Sequence, residues 1–379
     1  MSTPPSPGSP APASVPVANM PVSWDDPVRA QAFARWLESV TGPHRLLPDT
    51  LRTASADASF RRYLRIDSAT ATGSLIIMDA PPQHENCAPF VKVASLMEQA
   101  GMKVPHVLAW DEPLGFMLLT DLGSRTMMEV IDREQPHANL DLYLAAVDAL
   151  VDWQKASLPN VLPPYDHALL QRELSLFPDW YLARHRGVTL SDAQRATLDK
   201  TFALIIERNL AAPQVYVHRD FMPRNLMVNP DGGRAPLGVL DFQDAVYGPI
   251  TYDIASLMRD AFLSWEEEFV LDVTVRYWQK ARAAGLFGTG DDAHAWADDF
   301  GEFYRGVEWM GLQRHLKVAG IFARLTLRDG KAKYLADAPR FIGYIRSTAS
   351  RYRELTPLLR LVDEIEGTQA ATGFAFGRV

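Results

Sequence analysis

The chain has 379 residues, 47% hydrophobic and 22% charged, enough for one large domain or for two lobes. A net charge of -8 argues against nucleic acid as the main partner, because phosphate-backbone binding needs basic surface; a nucleotide needs only a local basic spot and a metal. The single cysteine, Cys87, excludes an intrachain disulfide, fits a reducing compartment and reads as a small residue near a loop.

Residues 1–22 are rich in Pro, Ser and Ala, with no basic start and no apolar run. They are expected to be a disordered tail, neither a secretory signal nor a membrane anchor. From Asp26 to Val40, the residues Val28, Phe33, Trp36, Leu37 and Val40 fall on one helical stripe. Three strand-like runs follow, at 51–53, 60–66 and 74–78, separated by turn sequences at 56–59 and 69–73. A helix is predicted over 89–101 with Phe90, Val93, Ala94 and Met97 inward, then strands over 104–110 and 115–121 joined at 111–114. Beyond residue 126 helical patterns dominate: 138–157, 167–185, 191–211, 250–263, 266–285, 292–318 and 339–363. They are interrupted at 215–242, which reads as loop, strand, turn, strand, with a hairpin signal at 229–233. No run approaches the roughly 18 apolar residues of a membrane span, so no membrane partner and a cytoplasmic location are expected.

The chemistry sits in that interruption. Val217-His-Arg-Asp-Phe-Met-Pro-Arg-Asn225 followed by Val239-Leu-Asp-Phe242 fits H-R-D-x-x-x-x-N and an apolar strand ending in D-F. Phosphoryl transfer needs an acceptor hydroxyl held in line and its proton accepted, a task for the carboxylate of Asp220. The β- and γ-phosphate oxygens need a magnesium ion, which prefers hard oxygen ligands; the strand-end carboxylate of Asp241 and the amide oxygen of Asn225 are the candidates.

These residues resemble the aminoglycoside phosphotransferase and choline kinase superfamily, the small-molecule branch of the protein-kinase-like fold. HRDFMPRNLMV and GVLDFQDAVYGPITYDIASL resemble its H-G-D-x-x-x-x-N loop, its metal strand and the Y-D-I/L-A segment after it. Together with ADASFRRYLRI, LIIMDAPP, FMLLTDLG and LQRHLKVAGIFARL, they are similar to bacterial N-acetylmuramate/N-acetylglucosamine anomeric kinases. The resemblance implies an α+β, bilobal fold: a small antiparallel β N-lobe (23–122), a larger helical C-lobe (123–366) and a loose tail (367–379). It further implies ATP and Mg2+ as cofactors and an amino sugar phosphorylated at C1 for peptidoglycan recycling; the protein is expected to be a monomer. Asp253 is implied to tie down the catalytic loop through backbone amides.

The nucleotide side departs from the kinase pattern. The strand LIIMDAPP lacks the usual lysine, leaving Arg61, Arg62 or Arg65 of the preceding strand as substitutes; alternation sends Arg61 and Arg65 to one face and Arg62 to the other. Ser55 and Ser59, in a loop of small residues, stand where a glycine-rich loop would be, and Leu119 and Asp121 mark the expected adenine edge. For the sugar, Gln243, Asp244, Arg259, Gln313 and His315 are candidate contacts, with Glu308 and Arg314 beside them. His218 reads as a packed loop residue. Two alternatives stand: a phosphotransferase for another small hydroxyl compound, such as an aminoglycoside or choline, and a nucleotide-binding pseudokinase, suggested by the missing lysine.

Overall fold

Asp26 and Pro27 open the first helix, α1 (Pro27–His44), in the computed structural model. The Asp26 carboxylate accepts the Val28 N–H at 2.8 Å, and Pro27 supplies a φ already suited to a first turn. Ala32, Phe33, Trp36, Leu37 and Val40 are buried on one stripe. Val28, expected with them, is instead 73% exposed, because the first turn overhangs the core and 25–28 all face outward.

The structure describes residues 22–56, 60–70, 73–229, 235–288 and 291–368. The tail before residue 22, Ser59, the hairpin turn after Asn229 and the end beyond 368 lie outside the described residues, as does the side chain of Ser55. The chain divides into two compact units. One runs to Lys92 and includes Pro105–Leu122; the other is Val93–Val104 with Gly123 onward.

The first unit holds a five-stranded antiparallel sheet in the order β1-β2-β3-β5-β4, from β1 (Leu46–Ala56), β2 (Arg62–Ser68), β3 (Ser74–Asp79), β4 (Val107–Asp111) and β5 (Phe116–Thr120). Edge strand β1 is far longer than the expected 51–53. Its register shifts at Leu47/Arg52 and Thr53/Ser55 break the period-2 pattern that would have announced it. One sheet face (Leu64, Ile66, Leu75, Ile77, Phe116, Leu118) packs on the α1 stripe, with Phe33 edge-on to Phe116 at 5.5 Å. At roughly 1.5–3 kcal/mol per fully buried large side chain, this face is what holds α1 down. The turn into β5 needs glycine: Gly115 has φ +68°, and a Cβ there would lie 2.0 Å from the Ala80 carbonyl oxygen.

Helix α2 (Ala88–Gln99) buries Phe90, Val93, Ala94 and Met97 as its period predicts. The second unit continues with α3 (Met127–Val130), α4 (Leu140–Lys155), α5 (His167–Leu176) running into a π-helical segment Phe177–His185, and α6 (Asp192–Leu210). Next come β6 (Gln214–Val217), β7 (Leu226–Met227), β8 (Gly238–Val239) and β9 (Val246–Pro249). The last helices are α7 (Thr251–Met258), α8 (Glu267–Ala283), α9 (Asp291–Asp298), α10 (Phe300–Leu327), α11 (Ala338–Arg351) and α12 (Thr356–Glu366). The predicted 292–318 helix is two helices, since Asp299 leaves helical geometry and caps α10 by accepting the Gly301 and Glu302 N–H groups. The predicted 339–363 helix likewise breaks at extended Tyr352. Helix α10 packs against α5, the π-helical segment, α7 and α11 and is buried through most of its middle. Among the described residues no helix is long and apolar enough to cross a membrane.

Candidate active site

Strand β6 pairs with β9 and delivers the chain to His218-Arg219-Asp220, which a 3-10 turn, Pro223–Asn225, returns to β7. β7 then pairs with β8, Leu226 opposite Val239, and the Leu240 N–H donates to the Asn225 carbonyl at 2.9 Å. This ladder leaves Asn225 and Asp241 at one end. The Asn225 Nδ2 lies 3.4 Å from the Asp241 Oδ2 and donates to the Asp220 carbonyl at 2.9 Å. The three residues singled out by motif therefore meet.

Side chains beneath the loop hold its shape. The fully buried Asp253 carboxylate, at the start of α7, accepts the His218 N–H at 2.7 Å and the Arg219 N–H at 3.0 Å. Burial pushes its pKa up to about 7 against those two hydrogen bonds. His218 Nδ1 accepts the Asp220 N–H at 3.2 Å, so its other nitrogen carries the proton and donates to the Leu240 carbonyl at 3.0 Å. Burial lowers the His218 pKa to about 4, so the ring is neutral and acts as packing and hydrogen-bonding scaffold. Arg219 (φ +78°) and Asp241 (φ +63°) both occupy the left-handed region, which costs an L-residue and persists only where surroundings impose it.

For Arg219 those surroundings are a charged cluster that the sequence-based expectations do not include. Its guanidinium pairs with Glu173 at 2.5 Å, while the Arg314 guanidinium donates to the Arg219 carbonyl at 2.7 Å. Lys317 pairs with Glu173 at 2.9 Å and reaches the Tyr252 hydroxyl at 3.2 Å, and the Tyr165 hydroxyl also donates to Glu173. Burial alone would raise the Glu173 pKa; Lys317, Arg219 and the hydrogen bonds overcome it and hold the value at about 2. The fields of Arg219, Arg314 and Lys317 all reach Asp220. A signal was present: Glu173 lies on the apolar stripe of Leu170, Leu174 and Phe177, where a charge is buried only if paired.

The candidate sugar contacts divide. Gln243 Nε2 donates to Asp241 Oδ1 at 2.9 Å, its own Oε1 is buried without a partner, and Asp244 is exposed. Arg259 is committed to Glu267 (2.9 Å) and the Tyr304 hydroxyl (2.9 Å). Gln313 and His315 are buried: Gln313 donates to the Leu170 carbonyl at 3.1 Å, and His315 stacks on Tyr344 at 4.5 Å. Burial and then Arg259 hold the His315 pKa at about 3, a neutral ring in the core of the helical unit. Glu308, Gln313, Arg314, His315 and Lys317 thus form a buried polar seam along α10, each with partners other than solvent.

In the first unit the three arginines are all engaged. Arg62, opposite Asp79 in the β2–β3 register, pairs with it at 2.7 Å on the α1 face, together with Arg29. Arg65 pairs with Asp121 at 2.6 Å, Ser74 donates to the same carboxylate at 2.8 Å, and Arg61 pairs with Glu85 at 2.9 Å. Leu119 is interior to β5, hydrogen-bonded in the sheet and 2% exposed. Cys87 is buried with its thiol pKa raised by burial, an inert packed residue.

For a magnesium ion, Asn225 and Asp241 are the residues that fit. Their donors are an amide oxygen and a carboxylate, the hard oxygen ligands that magnesium prefers, and the Asn225 side chain lies 3.4 Å from the Asp241 carboxylate. Among the described residues no group of three or more His, Cys, Asp or Glu is placed to hold a metal ion.

The Asp220 loop with Asn225 and Asp241 at one end of its hairpin, in a helical unit that follows an antiparallel sheet, fits the class of kinase-like phosphotransferases. The chain belongs to the phosphotransferase enzyme family, whose model matches residues 50–287. It is 49% identical over 343 residues to the N-acetylmuramate/N-acetylglucosamine kinase of Neisseria meningitidis, covering 90% of this chain and 97% of that one. The kinase of the same name from Pseudomonas aeruginosa is 45% identical over 353 residues, covering 91% and 99%. Among solved structures, a Plasmodium vivax ethanolamine kinase aligns with TM-score 0.57 at 12% identity, over 86% of this chain and 92% of that one. The ADP-bound aminoglycoside phosphotransferase APH(2'')-Ib aligns with TM-score 0.53 at 12% identity, over 82% and 97%. At such identity these structures speak to the fold alone.

Proposed function

We propose that this protein is an ATP-dependent amino-sugar kinase that phosphorylates the C1 hydroxyl of N-acetylmuramate and N-acetylglucosamine, feeding peptidoglycan recycling. The chemistry rests on one observation: Asp220, Asn225 and Asp241 are tied together by the Asn225 amide. The substrate class is supported by relatives of that name matching almost their whole length.

Asp220 orients the sugar hydroxyl and takes its proton as the hydroxyl oxygen bonds to the γ-phosphorus and the bond to the β-phosphate oxygen breaks. ADP and a sugar 1-phosphate result. Asn225 and Asp241 would hold a magnesium ion, whose charge offsets that of the phosphates. Asp253 and the Glu173–Arg219 pair keep the base in place through the transfer. On the nucleotide side, the Ser55 backbone would approach the phosphates, and the chain at Asp121, just past β5, the adenine. A phosphate contact from Arg62 requires it to share its guanidinium with Asp79.

Turnover of ATP with N-acetylmuramate, N-acetylglucosamine and kanamycin as acceptors tests this reading, followed by a reducing-end assay of the product. Phosphate at C1 abolishes the reducing end. A phosphorylated sugar that still reduces, or turnover with kanamycin alone, refutes it.

A further inference from the structure

Four residues meet beside the catalytic loop for reasons the transfer chemistry does not require. Arg224, in the 3-10 turn between the base and Asn225, is exposed, and its guanidinium lies 5.0 Å from the centre of the half-buried Phe262 ring. Two residues before Phe262 is Asp260, 1% exposed; one of its oxygens accepts the Phe262 N–H at 2.8 Å, and the other is buried with no partner. Arg340 of α11 donates to the carbonyl of the intervening Ala261 at 3.3 Å. The tripeptide 260–262 is therefore contacted by two guanidinium groups and carries one carboxylate.

Electrostatics tie this group to the base. Arg314, which holds the Arg219 carbonyl at 2.7 Å, interacts with Asp260 and also with Asp220 and Asp253. Its charge is thus already opposed by several acids. Arg224 is different: among the described residues it makes no hydrogen bond or ion pair, it rests on the Phe262 ring, and its charge acts on Asp260. Such a guanidinium, planar and preorganised by a ring face, suits a carboxylate.

We infer that Arg224, seated on Phe262 beside Asp260 and Arg340, is a specificity-determining residue that binds the carboxylate of an acidic sugar acceptor. The inference rests on the amino-sugar reading and deepens it. Of the two proposed acceptors only N-acetylmuramate carries a carboxylate, on its lactyl ether. Arg224 is adjacent to Asn225 on the loop that carries Asp220, so an anion held there anchors the sugar near the base. The half-buried Phe262 ring offers an apolar surface for the sugar, while the buried Asp260 carboxylate lies beneath it.

The experiment is steady-state kinetics of Arg224→Gln and Arg224→Lys against both sugars, with ATP varied separately. A charge-assisted hydrogen-bonded pair sets the size of the effect. The ratio of kcat/KM for N-acetylmuramate to that for N-acetylglucosamine should fall about 10- to 100-fold in Arg224→Gln. Most of the fall should lie in KM, and Arg224→Lys should recover part of it. Parallel losses for the two sugars, or a raised KM for ATP that accounts for the loss, overturn the inference; the second would assign the guanidinium to the triphosphate. Wild-type enzyme that phosphorylates neither sugar overturns the amino-sugar reading itself, and this inference with it.

Discussion

Replacing Glu173 by Gln removes the counter-charge that Arg219 and Lys317 share inside the helical unit, at 2.5 and 2.9 Å. The cost can be reached by two routes. Holding a carboxyl at about 2, from the ordinary 4.5, corresponds to about 3 kcal/mol at about 1.36 kcal/mol per unit. Breaking one side of a buried ion pair costs about 3–5 kcal/mol in general, because the surviving charge stays buried. The two agree, and at about 2–4 °C per kcal/mol for a unit of this size the melting temperature should fall by roughly 6–12 °C. Arg219 also sits at φ +78° next to Asp220, so once its guanidinium is released the backbone can relax and displace Asp220. A fall in kcat of about tenfold or more at saturating substrates should accompany the lower melting point. Calorimetry and initial rates at pH 7.5 measure both. A Glu173→Gln, Lys317→Met double variant should recover part of the stability, since one of the stranded cations is gone. The sign with pH is fixed as well: the folded value lies below the unfolded one, so this contribution is complete above about 4.5 and lost as the pH falls toward 2. A single variant that melts within about 1 °C of wild type with unchanged kcat would refute the reasoning.

Three further outcomes are expected. Gly320→Ala should destabilise the protein by about 1–3 kcal/mol in urea unfolding, although alanine is the better helix former by about 1 kcal/mol, because a Cβ there meets the Leu176 carbonyl oxygen at 2.3 Å; a higher urea midpoint would contradict it. His315 has a folded pKa of about 3, below the ordinary 6.5, so the unfolded chain takes a proton that the folded chain refuses and stability is lost as the pH falls below 6.5. Asp253 titrates in the opposite sense, so the comparison is between wild type and His315→Gln: the variant should lose about 2 kcal/mol less between pH 6.5 and pH 5, and identical losses would remove the buried neutral ring. Asp241→Ala should abolish both activity and its dependence on magnesium concentration, and an unaltered magnesium response would take the ion off that residue.

Much of this protein was legible in its sequence because the relevant signals are local. The H-R-D-x-x-x-x-N spacing places Asn225 where its amide can reach the Asp220 carbonyl, and a D-F strand end in hairpin register brings Asp241 to it; neither needs a tertiary contact to be read. Periodicity likewise found the inward face of α2 and most of that of α1. What stayed hidden depends on long-range partners. Nothing local says that Glu173 meets Arg219 and Lys317, which come from distant elements, and the Arg62–Asp79 pair depends on the exact β2–β3 register. The polar run along α10 suggests an exposed face or a sugar site by composition, and only its packing shows a buried seam. Helix ends failed where one capping residue, Asp299, outweighs a continuous helical pattern.

The central claim is that the Asp220 carboxylate serves the transfer step and not nucleotide binding. Rapid-quench single turnovers of Asp220→Asn with saturating ATP, magnesium and N-acetylglucosamine test it most directly, with nucleotide affinity measured on the same sample. Transfer should slow by about a thousandfold or more, with nucleotide affinity near that of wild type. Transfer at the wild-type rate, or lost ATP binding with transfer restored at high ATP, would contradict it.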